Sequence, residues 1–329
     1  MGLISFTDNG LYCKQGDFYI DPWKPVHRAV TTHAHSDHAR WGSKLYLAHK
    51  DSYYLLKARL NEDIAIQSVD YGQTISINNV KITLFPAGHI IGSAQVRVEY
   101  KGEVWVVSGD YKTEDDLVCT PFEPVKCSTF ITESTFGLPI YQWQKQSSIM
   151  EDIHLWVQAN QAVGRNSILT AYSLGKAQRL IHNLTPYGYQ FYVHGAIYAM
   201  QEAIARFKKM PPVDYLGTDI SKEEMKKRII IIPPSADSAA YLKRMQPFSL
   251  GVCSGWMQVR GAQRRRNADA GFALSDHADW QGLLQMIKAT GAECVYATHG
   301  FTAPLVRYLR EEMGIKADVV QTSFGEDEG

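Results

Sequence analysis

The densest concentration of reactive side chains in this sequence is Thr32-His33-Ala34-His35-Ser36-Asp37-His38. It is an H-x-H-x-D-H run that directly follows the apolar stretch Ala29 to Thr32. At the end of an extended strand, residues two apart project the same way, so His33 and His35 can grip one metal. Asp37 and His38 follow after the chain turns and can face a second. Neutral imidazoles with one hard carboxylate and no thiolate suit zinc, with manganese or iron as substitutes. The bland alternative, a set of surface or capping histidines, does not call for four such residues in six positions.

Other stretches share the pattern of strand, then reactive residue, then turn. Pro86-Ala87-Gly88-His89 carries a histidine among glycines, and Val106-Val107-Ser108-Gly109-Asp110 carries an aspartate. Leu274-Ser275-Asp276-His277 and Ala297-Thr298-His299-Gly300 do the same near the end. A lone His or Asp at a strand end is ordinarily a turn residue. With the first run they become ligand candidates, because a two-metal site needs a carboxylate bridging ions roughly 3.5–4 Å apart.

These residues must be delivered by a layered scaffold. The first third alternates β-like runs with turns: Asp17 to Ile20, Ala29 to Thr32, Lys44 to Ala48, Lys81 to Phe85, Gln95 to Tyr100 and Val104 to Ser108. Asp51 to Arg59 reads as a helix. In the middle, Ser148-x-x-Glu151 reads as a capping box, with Ile149, Ile153, Trp156 and Val157 on one helical face. Ser167 to Ala171, a Gly175-led helix, Gln190 to Val193 and a helix from Ala196 to Phe207 follow. That alternation predicts βαβ units and a parallel sheet. Phe272 to Leu274, Trp280 to Ala289, Cys294 to Ala297 and Ala303 to Glu312 continue the rhythm, and residues 325–329 read as a frayed acidic tail.

Composition excludes several classes. The 329 residues carry 34 Lys+Arg against 34 Asp+Glu, so the chain is not a bulk polyanion binder, and any nucleic-acid contact requires a local basic patch. The length suggests two domains, or one large fold with an insertion. Five widely spaced cysteines without a CxxC pair argue against a disulfide framework or a cysteine zinc site, and read as buried small hydrophobes. No apolar run approaches a membrane span, and the N-terminus lacks the pattern of a signal peptide. The expected location is cytoplasmic.

Three segments are candidate nucleic-acid contacts. Arg260, Arg264, Arg265 and Arg266 lie within seven residues without an acid, flanked in sequence by Trp256 and Trp280. Arginine forks match phosphates and aromatic rings stack bases. Tyr172-Ser173-Leu174-Gly175-Lys176 follows a strand and opens a helix, the setting of a phosphate cradle, with Ser173 and Lys176 as contacts. Lys226-Lys227-Arg228 is diluted by Glu223 and Glu224. For each, a solvated charged face or a simple helix cap is the competing reading.

The residues resemble a known family. His33-x-His35-x-Asp37-His38 with His89, Asp110 and His299 resembles the ligand set of the metallo-β-lactamase fold. Glu133-Ser134-Thr135-Phe136-Gly137, with His277 in SDHADW and His299 in THG, resembles the β-CASP nucleic-acid-processing branch. GLYCKQGDFYIDPW, THAHSDHARWGS, SGWMQVRGAQRRR and LSDHADWQGLL look like the bacterial ligase-associated DNA exonucleases. The resemblance implies an α/β protein: an αββα metallo-β-lactamase sandwich with an inserted β-CASP-like α/β domain. Residues 1–143 and 259–329 would form the first and residues 144–258 the insertion. It implies two zinc ions, one on His33, His35 and His89 and one on Asp37, His38 and His299, bridged by Asp110. Asp21 would orient the ligand loop without binding metal.

The expected activity is metal-dependent hydrolysis of phosphodiesters by in-line attack of an activated water. Asp37 or Asp110 would orient that water or accept its proton. His277 would protonate the leaving group or stabilise phosphate, oriented by Glu133. The expected substrate is DNA, single-stranded or end-containing, in repair beside a DNA ligase and a helicase, with no membrane partner. His299 supports the competing reading of an RNA-processing β-CASP ribonuclease, because RNA-processing relatives keep a histidine there. A small-molecule hydrolase is opposed by the basic, aromatic insertion. A non-catalytic scaffold is opposed by the intact ligand set, which is costly to hold together without a metal.

Overall fold

A computed structural model of the chain describes residues 2–226, 228–259 and 268–320. It is a mixed α/β structure that divides into two compact units. The first comprises Met1–Asp115, Cys119–Gln142 and His277–Glu328, and the second Asp116–Val118 and Trp143–Asp276. The resemblance sets the insertion at 144–258. The chain leaves the second unit only at Asp276, because the strand Ala270–Phe272 completes that unit's sheet.

Among the described residues the first unit holds two sheets. One runs Ser5–Thr7, Gly10–Cys13, Phe18–Ile20, Arg28–Val30, Leu45–His49, Ile66–Val69. The other runs Lys316–Val319, Cys294–Thr298, Thr129–Glu133, Glu103–Val107, Ala94–Tyr100, Val80–Pro86, Thr74–Ile77. Both contribute to one apolar core, with Phe18, Ile20, Val30 and Leu47 from the first and Ile82, Val96, Val98 and Ile131 from the second. The opposite face of the second sheet carries Val106, Phe130 and Val295, covered by Trp280 and Ile287 of one helix and Leu305 and Leu309 of another. Burial of such side chains is the main term holding the layers together.

The sheet register explains where the reactive residues emerge. Glu103–Val107, Thr129–Glu133 and Cys294–Thr298 are parallel neighbours, with Val107 opposite Ile131 and Glu133 opposite Thr298. Their carboxyl ends therefore share one edge, which delivers Asp110, Glu133 and His299. In the other sheet, Phe18–Ile20 and Arg28–Val30 are parallel, so Asp21 and His33 leave on one side together. Thr129–Glu133 is buried along its whole length, and its Thr- and Glu-rich sequence hides it from period-two patterning.

The second unit carries a six-stranded sheet in which every neighbouring pair is parallel, ordered Asp214–Tyr215, Phe191–Val193, Ile229–Ile232, Asn166–Thr170, Phe248–Cys253, Ala270–Phe272. This agrees with the βαβ alternation of the sequence. One local expectation fails. The helix Gln146–Ala162 starts at Lys145, so Ser148 lies inside its first turn and is not a capping residue. No side chain caps the start at Lys145, and Gln146 and Ile149 are buried in the first turn.

Candidate metal centre

Four segments of the first unit converge on one cluster. His33, His35, His89 and Asp110 form one group whose ligand atoms lie within 4.8 Å of one another; His33, Asp37 and His38 form a second, and His38, Asp110 and His299 a third. Asp110 belongs to the first and third of these groups. Its Oδ2 stands 3.7 Å from His33 Nε2, 3.5 Å from His38 Nε2 and 3.8 Å from His89 Nε2. Asp37 Oδ2 lies 3.3 Å from His38 Nε2 and 3.9 Å from His299 Nε2. His35 Nδ1 is 3.1 Å from His89 Nε2.

Backbone geometry makes the convergence sterically feasible. Gly109 has φ +58°, and a Cβ there would sit 2.7 Å from Thr32 Cβ. Only glycine lets the Asp110 loop close on the His33 loop at that angle. Gly300, at φ +66°, faces the Thr135 backbone, where a Cβ would meet Cα at 2.4 Å. The hairpin that carries His89 is tied to the first ligand loop by Ala94 N, which donates to Thr32 O at 2.8 Å.

Asp21 organises the first loop. Its Oδ1 accepts from Thr32 N at 2.8 Å, and its Oδ2 accepts from Thr32 Oγ1 at 2.6 Å and His38 Nδ1 at 2.7 Å. Because Thr32 Oγ1 gives its proton to Asp21, it can only accept from His33 Nδ1, 3.0 Å away. In their neutral forms both imidazoles then turn an unprotonated Nε2 toward the cluster, the tautomer a metal ligand requires. Sequence reading missed Thr32; its position immediately before the run was the available signal. It also missed Ser93, whose Oγ accepts from His89 N at 3.1 Å, and Ser134, whose Oγ contacts the carbonyls of Thr298 and His299.

The electrostatics are those of a site short of positive charge. Burial, reinforced by the neighbouring histidines, pushes the His33 pKa well down. Burial also acts to lower His38, but Asp37, Asp110 and Asp21 outweigh it and raise its pKa well above the usual value. Burial acts to raise Asp37 and Asp110, yet His38 and the adjacent rings hold both well below the usual carboxylate range. The carboxylates thus demand a cation, which either a proton on imidazole or a metal ion supplies. His33 Nε2, Asp37 Oδ1 and Asp110 Oδ1 are buried and make no hydrogen bond. Buried polar atoms left in that state are costly unless something else satisfies them. The donor set of nitrogen and carboxylate oxygen fits divalent ions of the zinc or manganese kind.

Beside this cluster, His277 is buried and its Nδ1 lies 3.0 and 2.9 Å from the two carboxylate oxygens of Glu133. Glu133 also accepts from Tyr111 N at 2.7 Å and Thr135 Oγ1 at 2.5 Å. The rings of His277 and His89 are 4.7 Å apart.

The remaining candidates lie in the second unit. Lys176 is fully buried: its ammonium stands 3.7 Å from Asp276 Oδ2 and 5.0 Å from the Tyr172 ring centre. Arg179 Nη1 reaches Asp276 Oδ1 at 3.3 Å and Ser275 O at 2.5 Å. An ammonium so enclosed is an internal ion-pair partner, not a surface contact. Ser173 is half-buried, and its carbonyl accepts from Gln178 Nε2 at 3.2 Å. Trp256 is half-buried in the short helical turn Gly255–Gln258, and Arg260, Arg264, Arg265 and Arg266 lie outside the described residues.

No protein-family model matches the chain. A probable DNA ligase from Opitutus terrae is 31% identical over 323 residues, covering 97% of this chain and 31% of that protein. An endoribonuclease ysh1 from Aspergillus fumigatus is 31% identical over 127 residues, covering 37% of this chain and 14% of that protein. The chain thus spans about a third or less of the length of these curated relatives. Among solved structures, a protein of unknown function from Enterococcus faecalis shares the fold, with TM-score 0.58, 11% identity, and coverage of 91% of this chain and 80% of that one. The sequence likeness runs to nucleic-acid enzymes, nucleases among them. No described helix is long and apolar enough to cross a membrane.

Proposed function

We propose that the chain is a metal-dependent nuclease that hydrolyses phosphodiester bonds, with DNA as substrate and exonucleolytic action in repair beside a ligase. In this reading the fold is an αββα metallo-β-lactamase sandwich carrying a β-CASP-like insertion. The carrying observation is the convergence of His33, His35, Asp37, His38, His89, Asp110 and His299 on one buried cluster short of positive charge. Likeness across 97% of the chain to part of a probable DNA ligase supports the DNA substrate.

His33, His35 and His89 would hold one cation, Asp37, His38 and His299 a second, and Asp110 would stand between them. When bound, zinc or manganese ions supply Lewis acidity toward a phosphoryl oxygen and neutralise charge in an in-line displacement. The chain's own groups do the rest. Asp37 orients the attacking water or takes its proton. Glu133 keeps His277 protonated at Nδ1, which leaves Nε2 to hold a proton near the leaving oxygen. Asp21 and Thr32 keep the ligand rings in the competent tautomer.

Likeness to an endoribonuclease and the presence of His299 favour a second reading, an RNA-processing nuclease. End-labelled single-stranded DNA and the matching RNA separate the two. DNA shortened by single nucleotides supports the proposal, internal cuts make the enzyme an endonuclease, and cleavage of RNA alone favours the second reading. His33→Ala and Asp37→Ala are expected to lose bound metal and all cleavage while retaining the fold by circular dichroism. Full activity in either overturns the assignment.

A further inference from the structure

The first unit carries a cationic, aromatic surface directly after the ligand run. The chain continues past His38 as Ala39-Arg40-Trp41-Gly42-Ser43-Lys44, and this segment lies against Lys24-Pro25-Val26-His27. Lys44 N donates to Val26 O at 3.0 Å, Leu45 N donates to His27 O at 3.1 Å, and Val26 N donates to Ser43 Oγ at 3.2 Å. Lys24, His27, Arg40, Trp41 and Lys44 are all exposed. Neither segment contains an acid, and among the described residues no carboxylate pairs with Lys24, Arg40 or Lys44. In a chain of zero net charge such an acid-free patch is local.

Trp41 is 66% exposed. Its loop is pinned in that position. Buried Tyr46 donates its hydroxyl to Arg40 O at 2.7 Å and accepts from Ser43 N at 3.0 Å. Gly42 has φ +105°, and a Cβ there would meet Pro25 Cγ at 2.9 Å, so the turn is seated on the neighbouring segment. A tryptophan held in water by a fixed turn forgoes burial that its size would otherwise reward. Flanked by Arg40 and Lys44, its ring has the makings of a stacking platform with phosphate contacts on either side. Lys44 is six positions along the chain from His38, so the stretch from Arg40 to Lys44 lies within about 20 Å of His38.

We infer that Lys24, Arg40, Trp41 and Lys44 form a binding track for a single-stranded polynucleotide leading to the cluster. Trp41 stacks a base, and the three cations contact phosphates. The inference rests on the nuclease reading and adds the surface that holds the strand. An aromatic platform interleaved with cations suits splayed bases rather than a folded acidic protein.

The test is fluorescence anisotropy with labelled oligo(dT) and oligo(rU) of about twelve nucleotides, within the usual span of such sites. Every protein carries Glu133→Gln so that the strand survives. Trp41→Ala is expected to weaken binding roughly 5- to 100-fold, the effect of losing one stacked base. Arg40→Gln with Lys44→Gln should lower the slope of log affinity against log salt by about 1.4, about 0.7 for each phosphate contact on a single strand. Equal effects on both oligonucleotides assign the track to single strands generally, and an effect on one assigns it to that sugar. Affinity within about two-fold of the parent for Trp41→Ala, or an unchanged salt slope, overturns the inference. Cleavage by the wild-type chain alongside that result leaves the nuclease reading intact. A chain that neither binds nor cleaves either polymer rejects both.

Discussion

Glu133 places both carboxylate oxygens within hydrogen-bonding distance of one nitrogen of His277, 144 residues away in the chain. The carboxylate is itself held by Tyr111 N and Thr135 Oγ1, so the ring's orientation is set from a rigid strand end. Glu133→Gln keeps the shape but can offer an amide N–H to Nδ1, which favours the other tautomer. We expect kcat on single-stranded substrate to fall about 10²- to 10³-fold, the range typical of lost acid–base catalysis. Metal content, measured by atomic emission, should be unchanged. A loss of metal in this variant would instead make Glu133 a ligand.

The Asp21 carboxylate reaches the cluster through Thr32 and His38. Its removal should act on metal affinity by freeing two imidazole tautomers. For Asp21→Ala we expect affinity for zinc to drop about 10- to 100-fold in competition with a chromophoric chelator. Asp21→Asn, which can still accept from Thr32, should recover part of the loss. Wild-type affinity in Asp21→Ala would show that the tautomers are held by other means.

Gly300 separates two costs of replacing a glycine. Gly314 has φ +64° with nothing within 4 Å of a built Cβ, whereas Gly300, at φ +66°, meets the Thr135 backbone. Gly314→Ala should therefore lose about 1 kcal/mol, the cost of the left-handed backbone alone. Gly300→Ala should lose about 2 kcal/mol more, because backbone cannot yield as a side chain can. Urea unfolding of the two variants reads the difference. Equal midpoints would mean that the strand end shifts freely.

Asp276 pairs with both Lys176 and Arg179 in the interior of the second unit. Asp276→Ala removes the carboxylate shared by these two buried cations and should destabilise by about 3–5 kcal/mol. Lys176→Met leaves the Arg179 pair intact and removes an ammonium whose pKa burial already lowers, so it should cost far less. Thermal unfolding monitored in the second unit, for example by hydrogen exchange, distinguishes them. A Lys176→Met variant as unstable as Asp276→Ala would show that the ammonium, not the aspartate, holds the network.

The clustering of the first histidines and aspartate was legible in the sequence because they lie together just past one strand end. His33, His35, Asp37 and His38 state their chemistry within six residues. The parallel sheet of the middle third was legible for the same reason, since periodicity and alternation are properties of neighbours in the chain. His89, Asp110 and His299 were each ambiguous alone, and the pairing of Glu133 with His277 came from resemblance. What unites them is the shared carboxyl edge of parallel strands, which depends on register between segments far apart. Tertiary structure also decided matters that a sequence cannot express. It buried Lys176 beside Asp276, although its sequence setting suggests a surface cradle, and it kept Trp41 in water on a pinned turn. Burial is a property of all the neighbours at once, and it determines whether a charge or a ring serves the interior or a ligand.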